Sequence, residues 1–435
     1  MPVVRPFRSL RYDPDVAGDL ADLVAPPYDV VGPATARALV ARDPRNVIRL
    51  ELPEERPGDP PDERYRRAAR TLGEWRSEGA LKRDPRPAFY VYEQAYRVPG
   101  SDAARVQRGF IGRLKLEPFG PGSGVRPHER TLAGPREDRY RLLRATGLNI
   151  SPVVVLFEDA AGGVTSRLRD VSMTAPEVDL VDDDGVRHRL WVVTDPELLA
   201  ELAGPVESGP VTIADGHHRY ETALRYRDER RAGATDGSED PAWDFVLALL
   251  LDAVHEPLTV LPTHRIVRGL GGSATGLVAD AASMFEVRTV ASSAELVDAF
   301  GSSKPGGGGR FGLWTRDGGA ILTARPTAFD AIPASHGAAV RRLDVTLLSL
   351  ALLRLCRISA TDVAAGDRVD FSHDAGEAIR RVDAADGGAD AAFLLEATPV
   401  ADVIAVAADG DVMPEKSTFF YPKALTGLVL SPHEW

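Results

Sequence analysis

The sequence predicts a mixed α/β protein of the α+β class, with more than one domain. Short runs rich in β-branched and aromatic residues alternate with amphipathic helical segments along the chain. The 435 residues exceed the usual size of a single domain, and 44% hydrophobic with 27% charged residues are values typical of globular proteins. We therefore expect two or three domains that bury sizeable apolar cores.

Periodicity locates the elements in chain order. A helix is predicted where Tyr65, Leu72 and Trp75 recur on one face, and strands where short apolar runs lie between turn residues. Polar loops are predicted over 232–240 and 301–309. The predicted elements are a helix over 63–78, strands over 89–96 and 108–116, a helix over 139–146, strands over 151–157, 189–193 and 211–213, a helix just after 216, strands over 243–251 and 258–261, a helix over 344–356 and a strand over 391–396.

Charge and composition exclude several classes of protein. The net charge of −12 argues against a protein that coats nucleic acid through bulk charge. The single cysteine, Cys356, leaves no disulfide framework and no thiolate metal site. The N-terminus lacks the apolar core of a signal peptide, and no apolar run reaches membrane-spanning length. We expect a soluble, cytoplasmic protein that acts on small molecules, without a membrane or nucleic-acid partner.

The most informative segment is 215–219, with the sequence Asp-Gly-His-His-Arg. It follows the β-branched run over 211–213, and Asp215 has N-cap chemistry while Gly216 permits a tight turn into a helix. Two histidines and an arginine then crowd the first helical turn, where unpaired backbone N–H groups and the dipole attract anions. The segment predicts a phosphate or carboxylate site, and the alternative is a capped surface turn.

A second cluster is 126–131, with the sequence Arg-Pro-His-Glu-Arg-Thr, after a glycine-rich loop. Glu129 beside a histidine, in an irregular loop with arginines on both sides, is a candidate general base or metal ligand. A surface Glu–Arg pair explains the same pattern equally well.

Two smaller clusters carry weaker signals. Tyr28 and Asp29 follow two prolines, and with Arg49 they line a cleft or form a structural turn. His264 and Arg265 close an apolar strand, where they bind an anion or stabilise a neighbouring carboxylate.

The last cluster lies near the C-terminus. Lys416 and Lys423 are two of only five lysines in a chain that otherwise uses arginine, and Ser417 and Thr418 add hydroxyl groups beside them. Lysine suits a phosphate as a mobile point charge. The alternative is that the aromatic residues over 419–421 merely anchor the C-terminus by packing.

Together the clusters gather histidine, arginine and lysine around few acids, chiefly Glu129 and Asp215. Such a site matches phosphoryl transfer from a polyanionic donor, in which the protein neutralises oxygens and one carboxylate accepts a hydroxyl proton. A metal-dependent phosphohydrolase is an alternative, because His217 and His218 beside Asp215 supply some of the ligands that zinc requires. The accompanying arginines and lysines would repel the ion.

These motifs resemble those of a widespread domain-of-unknown-function family of bacteria and archaea. Its members begin with Val-Xaa-Pro-Phe and Ala-Pro-Pro-Tyr-Asp-Val, carry Asp-Gly-His-His-Arg centrally, and end with Met-Pro-Xaa-Lys-Ser-Thr and Phe-Tyr-Pro-Lys; the resemblance covers 4–429. More narrowly, Pro-His-Glu over 127–129 followed by 211–220 is similar to the free serine kinases of the ParB/sulfiredoxin-like fold. The two motifs stand further apart here than in those compact kinases.

The resemblance implies a free L-serine kinase that makes O-phospho-L-serine. It implies that Glu129 removes the hydroxyl proton and that the helix start over 215–219 holds the donor phosphates. The donor stays open among pyrophosphate, ADP and ATP, and we expect Mg²⁺ to bridge its oxygens. The predicted site residues are Glu129, His218 and Arg219 for catalysis; Asp215, Gly216, His217, His218, Arg219, His128 and Lys416 for the donor; Arg130, Thr131, His264 and Arg265 for the acceptor; and Asp215 for Mg²⁺.

The predicted organisation has three parts. An N-terminal α/β region covers 1–105, a ParB/sulfiredoxin-like catalytic core covers 106–270, and a C-terminal α/β region covers 271–435. The competing hypothesis is a non-catalytic, nucleotide-dependent switch of the ParB type that binds DNA or a protein. It predicts a helix-turn-helix module and a basic face, and this acidic sequence displays neither. The sequence leaves the oligomeric state open.

Overall fold

The structure of the chain is a computed structural model. It describes residues 1–131, 133–233, 240–270, 276–301, 306–384 and 388–434, without the side chains of residues 133, 135 and 364. The predicted loops over 232–240 and 301–309 therefore lie partly outside the described residues. Helices and strands alternate along the whole chain, so the predicted mixed α/β class is confirmed.

The strands are numbered in chain order. They are β1 Val4–Arg5, β2 Leu10–Tyr12, β3 Leu81–Arg83, β4 Phe89–Arg97, β5 Ala104–Lys115, β6 Val125–Arg126, β7 Leu148–Asn149, β8 Val153–Phe157, β9 Val178–Val181, β10 Arg187–Val193, β11 Val211–Asp215, β12 Phe245–Asp252, β13 Thr259–Leu261, β14 His264–Val267, β15 Phe285–Val290, β16 Arg310–Thr315, β17 Gly318–Ala324, β18 Val369–Ser372, β19 Ala391–Leu395, β20 Phe419–Tyr421 and β21 Ser431–Pro432.

The helices are numbered in the same way, and among the described residues none is long and apolar enough to cross a membrane. They are α1 Pro14–Ala17, α2 Leu20–Leu23, α3 Pro33–Arg42, α4 Ile48–Glu51, α5 Glu63–Ser77, α6 Ala133–Thr146, α7 Gly163–Ser172, α8 Pro196–Ser208, α9 His217–Gly233, α10 Leu277–Asp280, α11 Ser293–Phe300, α12 Pro326–Asp330, α13 Ala338–Arg341, α14 Asp344–Cys356, α15 Ala360–Ala365, α16 Ala375–Asp383 and α17 Val400–Ala408.

The larger sheet is mixed. Within the described ranges it contains nine strands in the order β6-β11-β8-β12-β5-β4-β10-β9, with β1 beside one end of β5. β11 is parallel to β6 and antiparallel to β8, while β8 and β12 are parallel. The central strand β12 is buried along its entire length, as expected for a strand covered on both faces.

Alternate residues of β12 show what covers each face of the larger sheet. Val246, Ala248 and Leu250 pack in one apolar cluster with residues of the helices α7, α8 and α9. Leu247 and Leu249 belong to another cluster, which continues into the second sheet and the C-terminal segment. The carboxyl end of β11 and the start of α9 thus lie between two packed layers, which fixes the turn that joins them.

The smaller sheet is antiparallel throughout. Its described strands follow the order β15-β17-β16-β19-β14-β18. After it, the chain returns to the larger sheet: β20 pairs with β13 and lies against β11, and β21 pairs with β7. This return brings the segment 413–423 to the carboxyl end of β11.

The three predicted regions, including the catalytic core over 106–270, stay a prediction. The strand β5 contains the proposed boundary at residue 105, and the larger sheet takes strands from both sides of it. The helix α5 buries Tyr65, Leu72 and Trp75 on one face, which confirms the predicted amphipathic pattern.

Candidate active site

A cavity of 720 Å³ opens where β11 meets α9. It collects segments that are far apart in the sequence: the N-terminal turn over 28–30, the Pro-His-Glu loop at 129–130, the helix start over 214–219, and the C-terminal segment from 415 to 423. Thr263, Phe371 and His373 complete its wall. Four of the five clusters predicted from the sequence therefore supply the wall directly, and the fifth supplies Thr263 next to His264.

The turn from β11 into α9 depends on Gly216. Its φ angle is +88°, a left-handed conformation that favours glycine, and a Cβ there would approach the Arg219 guanidinium to 3.0–3.1 Å. The Gly216 carbonyl accepts the Tyr220 N–H at 3.0 Å, so Gly216 directly precedes the helix. The prediction that Asp215 is the N-cap is wrong, because Asp215 is the last residue of the strand and its carboxylate has other partners.

Asp215 is held between two cations. Lys423 Nζ donates to Oδ1 and Arg219 Nη2 donates to Oδ2, both at 2.6 Å. Burial opposes ionisation, but the charges of Lys423 and Arg219 prevail and hold the pKa of Asp215 below its usual range. Arg219 also donates to the Pro152 carbonyl. The three side chains form one rigid unit with a net positive charge beneath the helix start.

This arrangement bears on the expected Mg²⁺ site. A metal ligand needs a carboxylate oxygen that is open to the ion, whereas both oxygens of Asp215 face cations that would repel it. Among the described residues, no group of three or more His, Cys, Asp and Glu side chains is arranged to hold a metal ion. Asp215 thus does not fit the role of metal ligand.

His128 and His217 form a buried, uncharged pair. Their rings meet edge to face with centroids 4.6 Å apart, and burial lowers the pKa of His128 to about 4 and that of His217 well below its usual value. His128 Nδ1–H donates to the Ile213 carbonyl at 2.5 Å, which leaves Nε2 to accept from the Thr418 hydroxyl at 3.0 Å. His217 Nε2 accepts the His128 backbone N–H at 3.3 Å. His217 lines the cavity, and His128 lies behind it.

His218 lines the cavity from the first turn of α9 and is half-buried. Burial lowers its pKa, and the nearby charge of Lys416 acts in the same direction. The imidazole is therefore neutral at neutral pH and offers a hydrogen-bond donor without a full charge.

Glu129 is a carboxylate of the cavity wall whose pKa is shifted upward, in the direction opposite to that of Asp215. Burial raises its pKa to about 7, against the opposing effects of the backbone N–H and the ammonium of Lys416. Its Oε1 accepts the Lys416 N–H at 3.2 Å, and its backbone forms a parallel bridge with Met413. A carboxylate that ionises near neutral pH at a cavity wall has the properties of a general base.

The backbone of Lys416 joins the Pro-His-Glu loop to the smaller sheet. Its φ angle is +56°; its N–H contacts Glu129, and its carbonyl accepts from Arg265 at 3.1 Å. The side chain is exposed in the cavity, and within the part of the chain that the structure describes its ammonium forms no ion pair. The Lys416 ammonium is thus available to an anion.

The residues predicted to bind the acceptor separate into two groups. Arg130 is exposed and lines the cavity. Thr131 donates to Glu221 at 2.7 Å and lies outside the wall, as do His264 and Arg265, which are buried. Arg265 contacts the backbone of Lys416 and lies over the Phe371 ring at 5.0 Å, so it supports the wall from behind.

Sequence reasoning missed several wall residues. His373 donates through Nδ1 to the Pro262 carbonyl at 2.8 Å, and its ring lies 3.8 Å from that of Phe419. Burial lowers the pKa of His373 to about 4. Nothing in the local sequence marks His373 or Phe371, since each follows an ordinary strand pattern. Tyr28 and Asp29, for which the sequence predicts either a cleft or a structural turn, line this cavity, whereas Arg49 of the same cluster lies outside it.

The wall carries more acids than the sequence suggested. Within the described residues, four carboxylates and four basic side chains line the cavity: Asp29, Glu129, Asp215 and Glu415, with Arg130, Arg219, Lys416 and Lys423. The histidines are neutral, so the cavity is close to charge balance rather than strongly cationic. Such a wall suits a phosphate together with a partner that carries a positive group.

Comparisons with known proteins concern the fold and the family. No curated protein matches the chain in sequence. The solved structures to which the chain is similar include a conserved hypothetical protein from Pyrococcus furiosus (13% identity, 68% of this chain and 87% of that one, TM-score 0.33), a free serine kinase in complex with AMP (13%, 75% and 90%, 0.36), and C-terminally truncated SbnI from Staphylococcus aureus (10%, 73% and 86%, 0.36).

At TM-scores below 0.5 these structural likenesses do not bear on activity. The family assignment is independent of them. The family's sequence profile matches residues 4–346, which include every described strand of the larger sheet and four strands of the smaller one. The chain thus belongs to the family described as "Protein of unknown function (DUF1015)".

Proposed function

We propose that the cavity transfers a phosphoryl group from a phosphate donor to the hydroxyl of free L-serine, giving O-phospho-L-serine. The observation that carries the proposal is Glu129, a carboxylate with a pKa of about 7 at the cavity wall, beside the helix start and the ammonium of Lys416. Glu129, which can accept the proton of an alcohol, thus lies next to groups that can bind a phosphate. The choice of serine as acceptor comes from the motif resemblance.

The chemical step needs little more than these groups. Glu129 accepts the proton of the serine hydroxyl while that oxygen attacks the terminal phosphorus of the donor. A new O–P bond forms, the bond from phosphorus to the bridging oxygen breaks, and the remaining donor leaves with the electron pair. The proton held on Glu129 then passes to solvent, which restores the carboxylate.

Hydrogen-bond donors and positive charges would contact the phosphoryl oxygens from two sides of the cavity. The first turn of α9 presents backbone N–H groups and its dipole, with the neutral ring of His218 beside them. Lys416 faces them with an ammonium that forms no ion pair with any residue the structure describes. The unit of Asp215, Arg219 and Lys423 adds a net positive charge behind the turn.

The experiment is a product assay, donor by donor. The full chain is incubated with L-serine, Mg²⁺ and each of pyrophosphate, ADP and ATP, and O-phosphoserine is measured by mass spectrometry alongside released phosphate. We expect phosphoserine with at least one donor and none when serine is omitted. Phosphate release that does not depend on serine would favour a phosphohydrolase, and no phosphoserine with any donor would refute the proposal.

A further inference from the structure

The turn over Tyr28–Val30 places a carboxylate in the cavity wall that the proposed chemistry does not use. The turn follows Pro26 and Pro27, and the Arg139 guanidinium lies 4.3 Å from the centre of the Tyr28 ring. Arg139 is itself buried and donates to the Glu51 carbonyl at 2.7 Å. The backbone that carries Asp29 is therefore fixed against the core, while the Asp29 side chain is exposed in the cavity.

Asp29 differs from Asp215 in its surroundings. Asp215 has a cation on each oxygen, whereas the Asp29 carboxylate forms no hydrogen bond or ion pair with any described residue. It faces the helix start closely enough for its charge to contribute to the raised pKa of Arg219. An open carboxylate beside an anion site would weaken binding of a phosphate donor alone, because the two like charges repel.

A second ligand with a positive group removes this conflict. A free amino acid is a zwitterion, so its site needs an anion for the ammonium and a cation for the carboxylate. In the described structure two cavity carboxylates, Asp29 and Glu415, form no ion pair, and neither do two cations, Arg130 and Lys416. Glu415 lies within the electrostatic reach of both cations, whereas Asp29 lies beside the helix start and is the carboxylate left for a positive group of the ligand. Given the proposed kinase function, on which this inference rests, we infer that Asp29 binds the α-ammonium group of the amino-acid acceptor.

A metal ion is a weaker match for Asp29. No described group of three or more metal-binding side chains surrounds it, and the neighbouring His218 and Arg219 lie on the cationic side of the cavity. A primary ammonium needs one charged acceptor and a few neutral ones, which a single carboxylate at a polar wall supplies.

The test separates acceptor binding from donor binding and from chemistry. In Asp29→Asn, loss of one charge-assisted hydrogen bond should raise the KM for L-serine about 10-fold to 100-fold, with the donor KM and the kcat at saturating serine little changed. The melting temperature should stay the same, because the side chain is exposed. 3-Hydroxypropanoate, which is serine without its ammonium, should be phosphorylated equally well by Asp29→Asn and the wild type.

Two further variants and a binding measurement test whether the charge of Asp29 binds serine. Asp29→Glu, which keeps the charge, should recover part of the affinity, and Glu74→Gln, which removes an exposed carboxylate of α5 outside the cavity, should leave the serine KM unchanged. Calorimetric titration of serine in the absence of donor gives an activity-independent measurement. If the wild type makes phosphoserine but Asp29→Asn keeps its serine KM, or instead needs more Mg²⁺ or more donor, this inference is wrong. If the wild type phosphorylates no serine, the proposed function fails first.

Discussion

Replacing Glu129 by glutamine tests the chemical step most directly. The amide keeps the shape of the side chain, and its oxygen can still accept the Lys416 N–H that now lies 3.2 Å from Oε1. What is lost is the ability to take a proton from the acceptor. Removal of a positioned base lowers rates by about 10²- to 10⁴-fold, which corresponds to about 3–5 kcal/mol in the activation barrier. Donor binding should stay close to that of the wild type.

The pH profile gives this prediction a second, independent measurement. With a pKa of about 7, Glu129 is ionised in about one-tenth of molecules at pH 6 and about nine-tenths at pH 8. Since only the carboxylate acts as a base, kcat/KM should rise about tenfold between these values. Steady-state phosphoserine formation from pH 5.5 to 8.5 measures the rise, which should be absent in Glu129→Gln.

Stability should change with pH in the opposite direction. Burial makes the folded state hold the Glu129 proton more tightly than the unfolded chain does, so this residue's contribution to stability falls as the pH rises from about 4.5 through about 7. Glu129→Gln should lack that loss in urea titrations at pH 5 and pH 8. Glu74→Gln, which removes an exposed carboxylate outside the cavity, is the matched control for turnover. Near-normal kcat in Glu129→Gln, or an unchanged pH profile, would refute the base assignment.

Three further substitutions address the phosphate side. His218→Ala should weaken donor binding about fivefold, through loss of one neutral hydrogen bond; unaltered donor affinity in titrations would contradict this role. Lys416→Arg should lose at least about tenfold in kcat at an unchanged melting temperature, because a planar fork replaces a compact ammonium; full activity would limit Lys416 to its backbone contacts. Arg219→Ala should cost about 1.5–3 kcal/mol in denaturant unfolding, since it removes one of the two cations that bind the half-buried Asp215 carboxylate; an unchanged midpoint would show that the pair is not stabilising.

Local sequence patterns predicted the elements that carry the site better than the contacts between them. Neighbouring residues alone predict the strand β11 and the turn into the helix. β-branched residues favour the strand, and Gly216 adopts the positive φ that the turn requires. The role of Asp215 does not follow in this way, because Lys423, its partner, lies 208 positions further along the chain. The neighbouring residues alone predict an N-cap at Asp215, but in the folded protein its carboxylate accepts hydrogen bonds from the distant Lys423 and from Arg219.

The cavity wall shows the same limit. The Pro-His-Glu context makes Glu129 a candidate base, but its raised pKa arises from burial in the folded protein, which no local pattern reveals. His373 and Phe419 meet only because β13 pairs with β20 and β14 pairs with β18. Strand order depends on long-range packing, so residues that become neighbours through it carry no shared signal in the sequence.

The return of the C-terminal segment to the larger sheet has a consequence for how the protein matures. Glu129 receives its contact from a residue 287 positions away, and His128 receives one from a residue 290 positions away. Closing such long loops lowers the conformational entropy of the chain, and the helices and strands formed earlier do not offset this cost. We therefore expect these contacts to form late in folding. A growing chain on the ribosome can build much of the larger sheet before residues 413–423 exist. The complete wall of the cavity can therefore form only after residues 413–423 have been synthesised, whereas β11 and the start of α9 can form earlier.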